Sequence, residues 1–457
     1  MKVFEFMAHN IDYKKIVLPN GLTCVLYQRP EVHSVDISVD VEVGALDETA
    51  EINGISHMVE HLPFDGTKEM PSWEKVDEFN NSISGSSNAY TSSAQTSYYG
   101  HYPCQYFEDA LFYLSQLVFH PLHTEEDLVK EKDIIVDELK TRADSVDFKI
   151  YRNIIDNRYL NNNTPYSFDV IGTETNVKGF TKQNIAKHHK KYYVPENIKV
   201  FIVGNFEYDK AEKYLKKYFY TDLKDRKFAK KPVRKFQKTY PEYSKFKMNT
   251  VQKGDLDQYY LTLTFPRPEF KKTLQTKRIK LPFLSSLTAS GQYQQSILWK
   301  RLREELGIVY GVSAYGWDYF NRAFTIIETS FQPQYLEQVL QEIYDGINQI
   351  KSAKVADTVF KTRQKRIVDT ELMIYDSPSN VLNWIMDQEN EYEYHKEFLT
   401  PTDFIELVKK LDFSEVVEMA NEVYDWDKVN IGIVSKDDPS EVQKKLESIW
   451  QKITKNG

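Results

Sequence analysis

The sequence predicts an α+β protein made of two structurally similar halves, each an antiparallel-rich sheet packed with helices. Its 457 residues exceed what one ordinary hydrophobic core holds, so two domains of about 200 residues each are expected. The order of strand-like and helical segments in the second half also loosely repeats that of the first. A hydrophobic share of 41% and an aromatic share of 14% indicate a folded chain rather than a disordered one.

The elements of the first half follow from hydrophobic periodicity. In HSVDISVDVEV, apolar residues from Val35 to Val43 alternate with polar ones, and this period of two predicts a half-buried strand. The segment PENIKVFIVGNF (195–206) predicts a second strand that ends at a glycine. Helical periodicity occurs at about 53–62, at about 106–120 and from about 124, and the Ser- and Asn-rich sequence after the first of these predicts a turn that leads into a strand.

The second half contains corresponding signals. The segments DQYYLTLTF (257–265) and VNIGIV (429–434) are strand-like, and GQYQQSILWKRLREELG (291–307) is helical. Between the halves, LKDRKFAKKPVRKFQKTY is rich in Lys and Arg, which is typical of a solvated linker or, alternatively, of a nucleic-acid-binding patch. We interpret it as a linker, so the predicted domains are a first half at 1–222, a basic linker at 223–247 and a second half at 248–457.

Composition argues against several classes of function. The net charge of −8 gives no reason to expect nucleic acid as a partner. The N-terminus lacks the apolar run of a signal peptide and no 18-residue apolar stretch occurs, so we expect a cytoplasmic location and no membrane partner. Cys24 and Cys104 are the only cysteines, so we expect neither a disulfide framework nor a thiolate metal site.

The stretch NGISHMVEHLPFDG contains a candidate metal site. In a helix, His57 and His61 are four residues apart and lie one above the other beside an apolar face. That spacing lets two imidazoles reach one zinc ion, with Glu60 placed beside them to hold a water molecule on the metal. The alternative is an ordinary amphipathic helix with two solvated histidines. A zinc site also needs a third protein ligand.

The segment VKEKDIIVDELK offers that ligand. Glu131 and Glu138 are two helical turns apart and project in almost the same direction. Because apolar neighbours flank them, both carboxylates are expected to be at least partly buried, and an unpaired buried charge is costly. A nearby metal cation removes that cost. The alternative is that Lys132 or Arg142 pairs with these carboxylates at a helix surface.

Together, these segments resemble the pitrilysin/insulinase family (M16) of zinc metallopeptidases, the inverzincins, which includes the mitochondrial processing peptidases. The family pattern is His-x-x-Glu-His, a Glu after 76 further residues, and another Glu seven positions before that one. Here 76 residues separate His61 from Glu138, and Glu131 precedes Glu138 by seven. GALDE (44–48), NGLTCVLYQRP and SNAYTSSAQTSYYG also match, and the similarity runs from about residue 17 to the C-terminus.

The resemblance implies a fold of the LuxS/MPP-like metallohydrolase type and one Zn²⁺ per chain. It implies that His57, His61 and Glu138 are the zinc ligands. By the same resemblance, Glu60 is the general base that activates a water molecule, and Glu131 is a supporting carboxylate near the site. One departure is the proline after the second histidine, where relatives commonly have an aliphatic residue, and it predicts a helix that ends early.

Two further segments gain a role only from the resemblance. Arg303 and Tyr310, in LREELGIVYGVS, are similar to the family's Arg…Tyr pair, which reaches the scissile bond and stabilises the developing oxyanion. Without the family, this segment is an ordinary helix end with Gly307 as C-cap. Asn88 and Ala89, in SNAYT, are similar to the strand that binds substrate by β-strand addition, and without the family they belong to a plain edge strand.

The resemblance also bears on assembly and activity. The second half has no His-x-x-Glu-His, as in relatives of this length, which assemble from two chains into a clamshell around a closed chamber. We therefore expect a homodimer, or a heterodimer with a related chain, in which Arg303 and Tyr310 of one chain serve the zinc of the other. The predicted function is zinc-dependent endopeptidase activity on short or unfolded peptides. The alternative is a catalytically silent scaffold or substrate-binding subunit of a heterodimer.

Overall fold

The computed structural model describes residues 11–159, 165–234, 247–254, 256–267, 275–319 and 322–456. These residues form two sheets, each packed with helices, which confirms the predicted two-half α+β architecture. None of the helices in these ranges combines the length and the apolar character that crossing a bilayer requires.

The first half is built on a six-stranded mixed sheet. Its strands are β1 (Lys14–Val17), β2 (Thr23–Gln28), β3 (Ser34–Val41), β4 (Ser86–Thr91), β5 (Thr96–Pro103) and β6 (Ile198–Gly204). They lie in the order β1-β2-β6-β3-β5-β4, so β4 is an edge strand. Only β2 and β6 are parallel neighbours, and the other pairs are antiparallel. The predicted strands at 34–43 and 195–206 are therefore confirmed as β3 and β6.

The second half repeats this topology with five strands. They are β7 (Lys247–Gln252), β8 (Tyr259–Arg267), β9 (Val309–Tyr319), β10 (Arg322–Phe331) and β11 (Asn430–Ser435). Their order, β7-β11-β8-β10-β9, matches β2-β6-β3-β5-β4 strand for strand, and the parallel pair β7/β11 corresponds to β2/β6. The repeat predicted from sequence is thus present in the strand order, with β9 in the place that β4 has in the first half.

Sixteen α-helical segments pack on these sheets within the described residues. In the first half they are α1 (Ile55–His61), α2 (Trp73–Ser82), α3 (Phe107–Phe119), α4 (Glu125–Asp144), α5 (Val146–Tyr159), α6 (Glu174–Gly179), α7 (Lys182–Tyr192) and α8 (Tyr208–Phe219). In the second half they are α9 (Leu281–Thr288), α10 (Ile297–Trp299), α11 (Leu336–Lys351), α12 (Asp357–Ile374), α13 (Pro378–His395), α14 (Pro401–Lys410), α15 (Phe413–Val423) and α16 (Pro439–Asn456). The helices predicted at about 53–62, at about 106–120 and from about 124 correspond to α1, α3 and α4.

The helix predicted over 291–307 is wrong at its N-terminal end. Residues before Ile297 form turns, because the Ser296 hydroxyl accepts a hydrogen bond from the amide of Ser290 (3.0 Å) and holds the chain in a non-helical loop. The helix proper is α10, which continues as a π-helical turn over Lys300–Glu305. Gly307 follows with a φ of +64°, the conformation expected of a glycine that terminates a helix.

Each half supplies one helix to the sheet of the other. Helix α5 packs on β7, β8 and β11, where Ile150 and Ile154 join a cluster with residues of the second sheet. Helix α13 packs on β3 and β6, where Val381 and Ile385 cluster with Val25, Phe201 and Val203. The two halves are therefore joined by reciprocal packing rather than by the linker alone.

This packing corrects the prediction that β3 is half-buried. Asp36, Ser38 and Asp40, which alternate with the apolar residues of β3, are at most 5% exposed. They are buried because α13 covers the face of the sheet to which they point, and Ser379 of that helix donates a hydrogen bond to Asp36 (2.8 Å). Because α13 is remote from β3 in sequence, the alternation of residues within β3 does not reveal that its polar face is covered.

Because α13 of the second half covers the sheet of the first half, we expect the first half to be unable to fold alone. A fragment of residues 1–222 would expose Val25, Phe201 and Val203, which are now at most 1% exposed, and should aggregate during expression. Co-expression with residues 223–457 should restore a soluble complex, measured by size-exclusion chromatography. A soluble, monomeric 1–222 fragment with the melting temperature of the full chain would contradict this view.

The described part of the basic linker contacts the first half near residue 234. Arg234 donates from Nε and Nη2 to the carboxylate of Asp47 (2.9 and 2.5 Å) and from Nη2 to the carbonyl of Ala94 (2.6 Å). Lys231 pairs with Glu42 at 2.8 Å. These contacts attach residues 231 and 234 to the first half, whereas most residues from 224 to 233 are exposed, as expected of a solvated linker. Residues 235–246 lie outside the described residues.

Candidate metal centre

The helix that carries two of the three predicted ligands, His57 and His61, is short because both of its ends are fixed. It begins after Gly54, whose φ is +97°, and a Cβ at that position would lie 2.7 Å from the carbonyl oxygen of Ile171. Only glycine allows this approach. At the other end α1 stops at His61 and a 3-10 turn follows, as predicted from Pro63. Proline has no amide to offer the carbonyl of Val59, which instead faces the Tyr98 hydroxyl at 3.4 Å.

The three predicted ligands converge. Potential ligand atoms of His57, His61 and Glu138 all lie within 4.8 Å of one another. The Nε2 atom of His57 is 3.8 Å from an oxygen of Glu138, and the rings of His57 and His61 have centroids 4.5 Å apart. Neighbouring ligand atoms of a tetrahedral zinc ion are separated by about 3.3 Å, so small side-chain adjustments bring this set to coordination distance.

Glu131 contacts the group through His61. One of its carboxylate oxygens is 2.8 Å from Nδ1 of His61, which fixes the ring and leaves Nε2 free to bind a metal. Sequence reasoning expected both Glu131 and Glu138 to be at least partly buried, and this is wrong for Glu138, whose side chain is 44% exposed. Helix α4 buries Glu131, at 6% exposure, whereas Glu138 reaches His57 from a more accessible position nearer the surface.

The structure does not support the alternative in which Lys132 or Arg142 pairs with Glu138. Among the described residues, no Lys or Arg lies within ion-pair distance of it, and Arg142 instead pairs with Asp169 at 3.4 Å. The atom Nδ1 of His57 is also buried and has no hydrogen-bond partner among the described residues. Two imidazoles and one unpaired carboxylate fit a zinc ion by ligand type and by number.

Protonation of the histidines also fits a metal site. Burial lowers the pKa of His57 to about 3, with smaller contributions from His61 and Arg142, so its imidazole is neutral and its lone pair is available. Burial lowers the pKa of His61 too, but hydrogen bonding to Glu131 and the nearby carboxylates outweigh it and raise the pKa overall. A carboxylate that accepts from a metal-binding imidazole makes that imidazole a stronger ligand.

Glu60 is, like Glu131, a buried acidic group of the site. It is 7% exposed, and one oxygen accepts a hydrogen bond from the Thr91 hydroxyl at 2.6 Å. Burial raises the pKa of the Glu60 carboxyl, and the Thr91 hydrogen bond opposes this by stabilising the charged form. Thr91 ends the strand β4, so the predicted substrate strand also supplies a direct contact to the predicted base.

Replacing Thr91 by Val should move the pH dependence of any activity that needs ionised Glu60. Loss of the hydrogen bond raises the pKa of Glu60 further, so the group becomes protonated at a higher pH and the acidic limb of the kcat/KM profile shifts upward. The ratio of activity at about pH 6 to that at about pH 8 should fall in the variant. Ser87→Ala is the control, since Ser87 lies on the same strand but bonds to Asn80 and Tyr113. An unchanged profile would show that Thr91 does not tune Glu60.

Sequence reasoning missed two buried carboxylates beside the site. Asp65 pairs with Lys130 at 2.6 Å, and burial raises its pKa to about 6, with Lys130 lowering it and Glu131 raising it. Glu48 is 3% exposed and accepts hydrogen bonds from the start of α1. The Asp65 contact gives no signal in sequence, since 65 positions separate it from Lys130. The GALDE match included Glu48 but indicated no role for it.

The predicted substrate segment is the exposed edge of the first sheet. Residues of β4 alternate between exposed and half-buried, with Asn88 outward and Ala89 inward, on the same side as Thr91. The side-chain oxygen of Asn88 accepts the amide hydrogen of Ala89 at 2.8 Å. The edge-strand prediction is confirmed by the sheet order, whereas substrate binding by these residues stays a prediction.

The structure places Arg303 and Tyr310 together in the second half. Arg303 donates to the backbone carbonyl of Tyr310 at 2.6 Å, and its guanidinium lies over the rings of Trp299 and Tyr310. Tyr310 is 82% exposed, on the edge strand β9. The contacts described for the pair all lie within the second half, so any role at the metal group remains a prediction.

Fold and site thus define a two-half α+β protein with one candidate His₂Glu metal centre in its first half. Two family models match the chain: insulinase (peptidase family M16) over residues 23–187 and the peptidase M16 inactive domain over residues 179–367. The chain belongs to peptidase family M16. The second model covers most of the half that lacks the His-x-x-Glu-His sequence.

Similar proteins agree with this assignment. An uncharacterized zinc protease of Rickettsia bellii is 25% identical over 92% of this chain and 96% of its own length. The uncharacterized zinc protease YmxG of Bacillus subtilis is 26% identical over 81% of this chain and 86% of its own. A protease from Helicobacter pylori shares the fold with a TM-score of 0.83 at 21% identity, covering 93% of this chain and all of that one.

One structural neighbour has about twice the length of this chain. The periplasmic protease PqqL from Escherichia coli matches with a TM-score of 0.79 at 16% identity, and the match covers 98% of this chain but 51% of PqqL. The first half of PqqL alone matches with the same score over 98% of its length. At this identity the comparison shows the fold alone.

Proposed function

We propose that this protein is a zinc-dependent endopeptidase that hydrolyses short or unfolded peptides. The observation that carries the proposal is the convergence of His57, His61 and Glu138, whose potential ligand atoms lie within 4.8 Å of one another. The buried carboxyl of Glu60, the residue directly before His61, lies beside this group. The names of the relatives as zinc proteases support the same assignment.

Each residue of the site has a distinct task in this proposal. His57, His61 and Glu138 hold the metal, and Glu131 fixes the ring of His61 through its hydrogen bond to Nδ1. A zinc ion held there supplies Lewis acidity, which makes water a competent nucleophile near neutral pH and polarises a peptide carbonyl. Glu60 accepts the proton of the attacking water and passes it to the leaving amine, and Thr91 orients the Glu60 carboxylate for both transfers.

The edge strand β4 indicates the substrate class. An extended peptide can pair with the free edge of β4, and backbone hydrogen bonds then align it along a strand that ends beside Glu60. In this arrangement Asn88 holds the substrate backbone, and the small side chain of Ala89 lets it approach. Folded proteins have few extended segments free for such pairing, which favours short or unfolded peptides.

A matched pair of peptides tests this mode of binding. A linear peptide that is cleaved should become resistant when backbone amides on one edge carry N-methyl groups, since methylation removes the donors that a strand needs. Methylation of amides on the opposite edge should leave cleavage intact. Equal cleavage of both methylated forms would show that substrates do not bind by strand addition.

We further propose that two chains form the complete site, with Arg303 and Tyr310 of one chain facing the zinc of the other. The exposed position of Tyr310 on the edge strand β9 supports this proposal. An Arg303→Ala chain and a His57→Ala chain, each inactive alone, should regain activity when mixed, because one active pairing remains. Absence of recovery after mixing, with mixed dimers verified by differential tagging, would favour sites complete within one chain.

A further inference from the structure

A buried carboxylate outside the proposed ligand set holds the start of the metal-binding helix. The Glu48 side chain accepts a hydrogen bond from the amide of Ser56 on one oxygen (2.8 Å). Its other oxygen accepts from the amide of Gly54 (2.8 Å) and from the side-chain amide of Asn53 (2.9 Å). The residue is 3% exposed, so water does not satisfy these donors in its place.

This arrangement replaces an ordinary N-cap. The position that would cap α1 is Gly54, which has no side chain to accept a hydrogen bond from the first turn. Glu48, six residues before it, supplies the acceptor and places a negative charge at the positive end of the helix. Burial raises the pKa of the Glu48 carboxyl, and the three donors oppose this rise because they stabilise the ionised form, which only accepts hydrogen bonds.

The segment that carries Glu48 is itself fixed on both sides. The amides of Ala45 and Leu46 donate to the carbonyls of Ser92 and Ser93 in the loop after β4. Beside Glu48, Asp47 is bound by Arg234 of the linker. Glu48 therefore holds α1 to an anchored part of the first half, so the carboxylate limits where the helix can lie.

The position of α1 decides whether the metal ligands meet. His57 directly follows Ser56, whose amide Glu48 holds, and His61 lies one turn further in a helix of seven residues. The third predicted ligand, Glu138, belongs to a different helix, α4. A shift of α1 at its start thus displaces two ligands relative to the third.

We propose that Glu48 is a positioning residue for the metal centre, which holds the first turn of α1 so that His57 and His61 can bind one zinc ion together with Glu138. This inference rests on the proposed zinc-dependent function. Glu48 contacts neither metal nor substrate, and its contribution is expected in metal affinity. Loss of a residue that orients metal ligands typically weakens binding by about 10- to 100-fold.

The test is zinc affinity of the full-length chain, measured by competition with a chromophoric chelator. Glu48→Gln keeps the size of the side chain but places an amide group against a donor, so we expect zinc binding to weaken by about tenfold or more. The visible spectrum of the cobalt(II)-substituted protein should change as well, because it reports the ligand geometry. Glu48→Asp, which retains the charge but is one methylene shorter, provides a second variant should Glu48→Gln not fold.

Two controls separate positioning from general stability. Glu51→Gln removes the same charge from an exposed residue nearby, and Thr400→Ala removes the side-chain cap of α14 in the second half. Both should keep wild-type zinc affinity. Zinc affinity within about twofold of wild type in folded Glu48→Gln or Glu48→Asp would overturn the inference. It would also be overturned if Thr400→Ala lost as much zinc affinity as the Glu48 variants for the same loss of melting temperature. If wild type itself binds no zinc, the proposed function fails instead.

Discussion

The Glu60→Gln variant should retain zinc and lose peptidase activity. The substitution leaves His57, His61 and Glu138 in place, and the amide still fits the position where Glu60 accepts the Thr91 hydroxyl. An amide cannot take a proton from water. We therefore expect kcat to fall by about 10³-fold or more, since a general base typically contributes about 10²- to 10⁴-fold. Zinc content by elemental analysis and cleavage of a quenched fluorescent peptide measure the two properties separately.

The matched control is Glu126→Gln, the same chemical change at an exposed residue of α4. It should be indistinguishable from wild type in zinc content and in rate. Cleavage by Glu60→Gln at the wild-type rate would show that another group acts as the base. Loss of zinc from Glu60→Gln would instead show that Glu60 belongs to the ligand set.

Glu138→Ala should lose the metal while the protein stays folded. Glu138 is the only one of the three ligands from α4, and its side chain is 44% exposed, so its removal leaves no cavity in the core. Two histidines alone make a weak site. Because residues that only orient ligands contribute about 10- to 100-fold to affinity, removal of a ligand should cost at least about 100-fold. Zinc content after dialysis and the melting temperature of the metal-free protein are the measurements.

Asp137→Ala is the control for this prediction. It removes a carboxylate from the adjacent position of the same helix, where Asp137 pairs with Lys140 at the surface. The control should keep one zinc ion per chain. Full zinc occupancy in Glu138→Ala would contradict the assignment of Glu138 and direct attention to Glu131, the other carboxylate near His61.

The proximity of the candidate metal ligands could be predicted from sequence because its signals are local or at fixed spacing. The i, i+4 spacing of His57 and His61 places both rings on one face of a helix, and the family resemblance fixed the register of Glu138. The structure brings these residues together as predicted. The fold of each half was likewise predictable from strand and helix periodicity and from the repeat of their order.

Features that depend on packing between distant segments were not predictable. The polar face of β3 is buried because α13, more than 300 positions later in the sequence, covers it. Burial of Glu131 but not Glu138 depends on how α4 lies against α1, and helical periodicity gives both residues the same direction. Glu48 and Arg234 act through contacts that a single sequence does not encode as a pattern.

The proposed partnership of Arg303 and Tyr310 with the metal centre lies between these two cases. The two residues are neighbours, as their spacing around a helix end suggests, and they contact each other in the second half. Their proposed action in the site of another chain depends on an assembly, which is why mixing complementary inactive chains is the appropriate test.

The most direct test of the zinc endopeptidase function is mass spectrometry of a mixture of unstructured peptides of about 10 to 40 residues, a size suited to strand addition. The mixture is incubated with zinc-loaded wild type, with metal-free wild type and with Glu60→Gln. We expect new peptide fragments from the zinc-loaded wild type alone, and their ends will define the cleavage preference. Fragments produced equally by Glu60→Gln, or none from zinc-loaded protein with verified metal content, would contradict the proposed function, and the second result would favour a scaffold or substrate-binding subunit.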